Sequence, residues 1–60
     1  MRKFNVTFEV FVSAGTKQNK TITVEAGTKK LAALRAMVEI NKIDGYSQLY
    51  KNVIGIEEVL

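Results

Sequence analysis

Thr21–Ile40, TITVEAGTKKLAALRAMVEI, is where this chain changes its period. Up to Ala26, the apolar Ile22, Val24 and Ala26 alternate with Thr21, Thr23 and Glu25, as in a strand with one buried face. After Gly27, the apolar residues Leu31, Leu34, Met37 and Val38 return at helical spacing. Ala33 and Ile40 widen that stripe, while Arg35, Glu39 and Lys42 fall on the other side. The stretch therefore predicts a strand, a sharp junction and an amphipathic helix that lays its Leu31–Leu34–Val38 side on a sheet. Thr28 is the natural N-cap, its hydroxyl accepting from a free N–H of the first turn. Leu31 rather than Glu stands at the third helical position, so no capping box is expected. Asn41 would enter the apolar stripe if the helix ran on, which ends it at Ile40–Asn41, and Asp44-Gly45 follows as a turn.

Toward the N terminus, Phe4, Val6, Phe8, Val10 and Val12 alternate with Asn5, Thr7, Glu9 and Phe11, and only Phe11 breaks the polar set. The two strands read as an antiparallel hairpin. Both core faces use even numbers, so paired residues must have an even sum, which excludes a two-residue loop. A register setting Glu9 opposite Glu25 would face like charges, so each is expected opposite Thr or Asn. Beyond the helix, Val53–Val59 reads as a last strand, with Gly55 marking a bulge or a close backbone approach. Tyr46–Tyr50 is open between a short strand, a helical turn and a loop. AGTK occurs at Ala14–Lys17 and again at Ala26–Lys29, but QNKTITV follows the first copy and KLAALRA the second. These are one hairpin turn and one helix start, not a repeat.

The expected fold is a single α+β domain over residues 1–60, ββαβ in order. One helix packs on one face of the sheet, and a right-handed crossover sets the strand order 2-1-3. A strand at Tyr46–Tyr50 would make it ββαββ, β-grasp-like. The hairpin, the helix and NKIDGYSQLY before a final strand resemble the small immunoglobulin-binding domains of streptococcal surface proteins. The chain has no Trp, so that family's binding surface is not carried over. The KTITVEA strand, the Ala/Lys/Leu-rich helix and the final IEEV resemble short uncharacterised proteins of bacteriophages and prophages, which implies an accessory role in such an element.

Composition narrows the chemistry. Of the 60 residues, 47% are hydrophobic and 25% charged, the balance of a globular chain rather than a disordered one. A core of this size is marginal, and with no Cys a disulfide is excluded and with no Cys or His a zinc site is not expected, which leaves a well-packed single core or oligomerisation to hold the fold together. Arg2 and Lys3 before apolar residues mimic a signal peptide, but Asn5, Thr7 and Glu9 interrupt its apolar region; cytoplasmic residence is expected. No membrane partner is expected, because no run is long enough to span a bilayer. Asn5-Val6-Thr7 and Asn19-Lys20-Thr21 match the glycosylation pattern, which has no meaning in a cytosolic chain.

Absence of His and Cys removes the commonest general base and thiol nucleophile. Glu57 and Glu58, adjacent on a strand, point to opposite faces, so no enzyme activity and no cofactor is expected. Gly27-Thr28-Lys29 is a fragment of a phosphate loop without its spacing. Leu60 and its carboxylate, after Glu57-Glu58-Val59, read as a strand running out rather than a captured peptide end. Two surfaces remain. The uncovered sheet face and the Thr-rich second strand, with Phe11, Glu9, Thr21, Thr23 and Glu25, suit protein contact: a homodimer, and a host protein as a further partner. The alternative is a basic pole of Arg2, Lys3, Lys29 and Lys30 at the helix N terminus, suited to an anion or nucleic-acid phosphate.

Overall fold

The computed structural model describes residues 2–43 and 45–60. It contains strand β1 (Arg2–Ser13), strand β2 (Thr16–Ala26), helix α1 (Lys29–Asn41), a single 3-10 turn at Tyr46–Gln48 and strand β3 (Tyr50–Val59). The sheet order is β2-β1-β3, and β1 is antiparallel to both neighbours. The ββαβ order and the 2-1-3 arrangement follow the sequence expectation. The β-grasp-like variant does not: Tyr46–Gln48 closes a helical turn, and the last strand starts at Tyr50 rather than Val53. Lys51 holds this turn in place, its Nζ donating to the carbonyls of Tyr46 and Leu49 at 2.6 and 2.8 Å. The expected Asp44-Gly45 turn falls partly on Asp44, outside the described residues; Gly45 has φ 84°, a conformation that favours glycine.

The hairpin keeps the expected even-sum register, Arg2 facing Ala26 and Glu9 facing Asn19. Glu25 faces Lys3 rather than Thr or Asn, a better pairing because the charges are opposite. The loop is nevertheless only Ala14-Gly15, which corrects the parity argument. A bulge between Phe11 and Ser13 absorbs one residue, so Ser13 can face Thr16 across a two-residue turn without moving the core faces. Gly15 takes φ 75° while Ala14 does not take a positive φ, the pattern of a type II turn. A second irregularity lies in β3: Thr7 faces Gly55 and Phe8 faces Val53, leaving Ile54 as the extra residue. Gly55 thus marks a bulge, and the bulge resets the alternation so that Val53 and Ile56 both oppose core residues of β1.

Phe4, Val6, Phe8 and Val10 of the central strand are fully buried, with Val24 and Ala26 beside them on β2. The helix meets this layer with Ala32, Ala36 and Ile40, all fully buried, and with half-buried Met37. This overturns the expected helix phase. Leu31 is 43%, Leu34 61% and Val38 58% exposed, and on a helix with 3.6 residues per turn they lie nearly opposite the buried stripe. The reason is volume. Two phenylalanines of β1 fill the space beneath the helix, so the positions above them must be small for the layers to interdigitate. The ends of the helix are as expected: Thr28 Oγ1 accepts from the Leu31 N–H at 3.2 Å, and the helix stops at Asn41.

Candidate functional site

The basic pole forms as a neighbourhood but is not purely basic. Because β3 is antiparallel to β1, its C-terminal end returns to the start of β1, and Glu58 stands opposite Phe4. Arg2 clamps it: Nε donates to Oε2 at 2.9 Å and Nη2 to Oε1 at 2.6 Å, a bidentate pair. Nη1 of Arg2 also donates to the Gly27 carbonyl at 3.3 Å, and the guanidinium lies 5.1 Å from the centroid of the Phe4 ring. The Glu58 carboxyl is held below its ordinary value chiefly by the hydrogen bonds from Arg2, which outweigh an opposing desolvation, with lesser help from the charges of Arg2 and Lys29. Lys3 faces Glu25. Of the four predicted cations, Arg2 is thus committed to Glu58 and Lys3 stands against an acid. Lys29 and Lys30 are exposed in the first turn of α1. Glu58 is the residue the sequence reading missed. Its signal was available, since the order 2-1-3 with an antiparallel β3 brings the acidic end of that strand to the same pole.

The outer sheet face is organised as a polar ladder. Thr7 and Thr21 hydroxyls are 3.1 Å apart, and Thr23 donates to Asn5 Oδ1 at 2.6 Å. Glu9 pairs with Lys17 at 3.6 Å. Phe11 is not a lone aromatic. It is half-buried, packs edge-on against Tyr50 with ring centroids 5.5 Å apart, and has Lys17 Nζ 6.0 Å from its centroid. All five predicted contact residues, Glu9, Phe11, Thr21, Thr23 and Glu25, therefore share one face, with Phe11 at its hairpin end and Glu25 at the opposite end.

A third feature was not anticipated. Between β2 and α1 runs a groove of about 420 Å³ lined by Thr23, Val24, Glu25, Arg35, Val38 and Glu39. Arg35 spans it, Nη1 donating to the Glu25 carbonyl at 2.7 Å. The solvent-facing Leu31–Leu34–Val38 stripe adjoins this groove through Val38, so the apolar side of the helix and the edge strand form one continuous surface. Around the stripe stand Lys30, Arg35 and Lys42. The helix and its C-cap carry Lys29, Lys30, Arg35 and Lys42 against Glu39 alone, which equals the net +3 of the whole chain. The rest of the molecule is electrically balanced.

Among the described residues no cluster of acidic or other ligating side chains is placed to hold a metal, and no helix is long and apolar enough to cross a membrane. Comparison with protein-family models, with curated proteins and with solved structures returned no match.

Proposed function

We propose that this is a small non-catalytic interaction protein that works by protein–protein contact through the β2 edge and the surfaces flanking it. One observation carries the reading: Val38, 58% exposed, lines the groove along the edge strand β2, and Leu34, 61% exposed, continues the same outward stripe rather than entering the core. Large apolar residues grouped next to unpaired backbone are the composition of a contact surface, not of a solvated helix face. The Phe11–Tyr50 pair on the outer face supplies a further contact. A cytoplasmic accessory role in a phage or prophage is supported by the pattern of strand, Ala/Lys/Leu helix and IEEV strand. The test compares wild type with Val38→Asp and Phe11→Asp, reading both self-association and the proteins retained from the cells of origin. If neither substitution alters either readout, the surface assignment is wrong.

A second reading is favoured by the charge layout. Because the excess positive charge sits on α1, weak binding to nucleic acid would use Lys29 and Lys30, exposed in its first turn, rather than an Arg2 already clamped by Glu58. Such binding weakens steeply with salt as counterions are released. A Lys29→Glu/Lys30→Glu variant that binds DNA and RNA as wild type does would eliminate it.

A further inference from the structure

The two edges of the sheet differ. β3 is interrupted by the extra residue Ile54, and a bulge of this kind breaks the regular spacing of backbone groups that another strand needs. β2 runs from Lys17 to Ala26 in unbroken register with β1, because the hairpin's bulge is on the β1 side. A further strand can therefore add to β2 over nearly its full length.

Resting on the reading of this edge as the contact surface, we propose that its occupant is the β2 strand of a second copy. The two strands run antiparallel about a two-fold axis at Thr21, making a six-stranded sheet. Faces must match across the axis, so residues of one face pair with residues of the same face and paired numbers have an even sum. Among such registers, the one centred on Thr21 matches Thr16 with Ala26 and so uses the whole strand. It also sets Lys17 against Glu25 of the second copy, and Glu25 against its Lys17, on the outer face. Centring on Lys20 faces that lysine with itself; centring on Ile22 leaves Lys17 beyond the partner strand and Glu25 opposite Asn19. Overlap and charge thus select the same register. The charge pattern of β2 is self-complementary, positive at Lys17, which also reaches Glu9 of its own chain, and negative at Glu25, which also faces Lys3, the two equally distant from Thr21. This favours a second copy over a foreign strand.

The rest of the strand agrees with that placement. Thr21 meets Thr21 and Thr23 meets Asn19, continuing the ladder already formed by the Thr7–Thr21 and Asn5–Thr23 hydrogen bonds. On the helix face the half-buried Ile22 meets Lys20, whose aliphatic stem can cover it. Arg35 keeps its bond to the Glu25 carbonyl, since a carbonyl oxygen accepts twice.

The chain has no cysteine, so a single introduced thiol is a unique reporter. Residues directly opposite in an antiparallel pair have Cα atoms about 4.5–5.5 Å apart, within disulfide range, and only Thr21 is opposite its own copy. Thr21→Cys should therefore cross-link to a dimer under mild oxidation at least about tenfold faster than Asn19→Cys or Thr23→Cys, with the fold of each checked by circular dichroism. Sedimentation of the wild type should show a dimer. Lys17→Glu and Glu25→Lys should each raise its dissociation constant about tenfold, through two like-charge pairs, and the double swap should bring it back to near wild type. A monomeric wild type, equal cross-linking at the three positions, or a double swap no better than the singles each overturns the proposal. A monomer whose retention of other proteins is still lost in Val38→Asp would leave the edge reading standing and remove only the second copy.

Discussion

The phase of the helix can be tested with two substitutions about half a turn apart. Leu34 is 61% exposed, so Leu34→Ala gives up about two-fifths of the roughly 1.5–3 kcal/mol that full burial of a leucine contributes. Alanine returns a few tenths through its higher helix propensity, leaving a net loss of about 0.5–1 kcal/mol. Ala36 is fully buried, and Ala36→Leu adds three carbons above a layer already filled by Phe4 and Phe8. Overpacking of that kind costs about 1–3 kcal/mol. Ala36→Val, smaller by one carbon, keeps the measurement accessible if the leucine variant is too unstable. The assay is urea unfolding at two protein concentrations tenfold apart, which separates any contribution from self-association. With a slope of about 1 kcal/mol per molar urea for a chain this small, the midpoint should fall by about 0.5–1 M for Leu34→Ala and by about 1–3 M for Ala36→Leu. If the leucine stripe faced the sheet, the order would invert: Leu34→Ala would cost about 2–5 kcal/mol, and a leucine at an exposed position 36 would change stability by less than about 0.5 kcal/mol. That inversion would refute the helix orientation and the contact surface built on it.

Acidification tests the Arg2–Glu58 clamp. The folded-state pKa of Glu58 is lowered, so its contribution is complete above the ordinary glutamate range and is lost as pH falls through the lowered value. Glu58→Gln should therefore melt at a lower temperature than wild type at neutral pH, with the gap closing as pH falls below the ordinary glutamate range and narrowing in high salt; a gap independent of pH would contradict the pair. Thr28→Ala should cost about 1 kcal/mol by removing the cap on the Leu31 N–H, and Thr28→Gly only a few tenths, as read by urea midpoints. Gly15→Ala forces a side chain into φ 75° and should cost about 1–2 kcal/mol, although an added Cβ there meets no neighbouring atom within 4 Å. A neutral result would mean that the hairpin turn readily rearranges.

Much of the fold is legible because short-range rules decide it. The alternation in Phe4–Val12 fixes the buried face of β1, and like-charge avoidance keeps Glu9 away from Glu25. Thr28 fixes the start of the helix. What the sequence reading got wrong depends on several elements at once. The two-residue loop was excluded by a parity argument that holds for regular ladders, and the bulge at Val12 suspends it. The helix end at Asn41 came out correctly from a faulty premise: Asn41 was expected to meet the core, yet the side it shares with Leu34 and Val38 faces solvent. Choosing the largest apolar residues as the core side ignored that Phe4 and Phe8 had already filled the volume. The acid at the basic pole was missed for a similar reason, since it arrives from the far end of the chain.

The exposed leucines bear on function through what they could have been. At a solvated helix position, Ala, Lys, Glu, Gln or Arg supports the helix as well as Leu does, without adding apolar surface. Leu31 and Leu34 therefore gain nothing for the isolated helix that a polar residue would not give. Val38 is worse, since β-branching lowers helix propensity slightly. These three residues are what the helix would need for packing if its core stripe were not already made of alanines. A helix whose alanines face inward and whose leucines face outward, with Val38 next to an unbulged edge strand, has packing capacity where a partner can use it. On this argument the marginal core and the exposed stripe are connected: the 60-residue fold buries enough to define its shape, and contact through the β2 side would supply the rest.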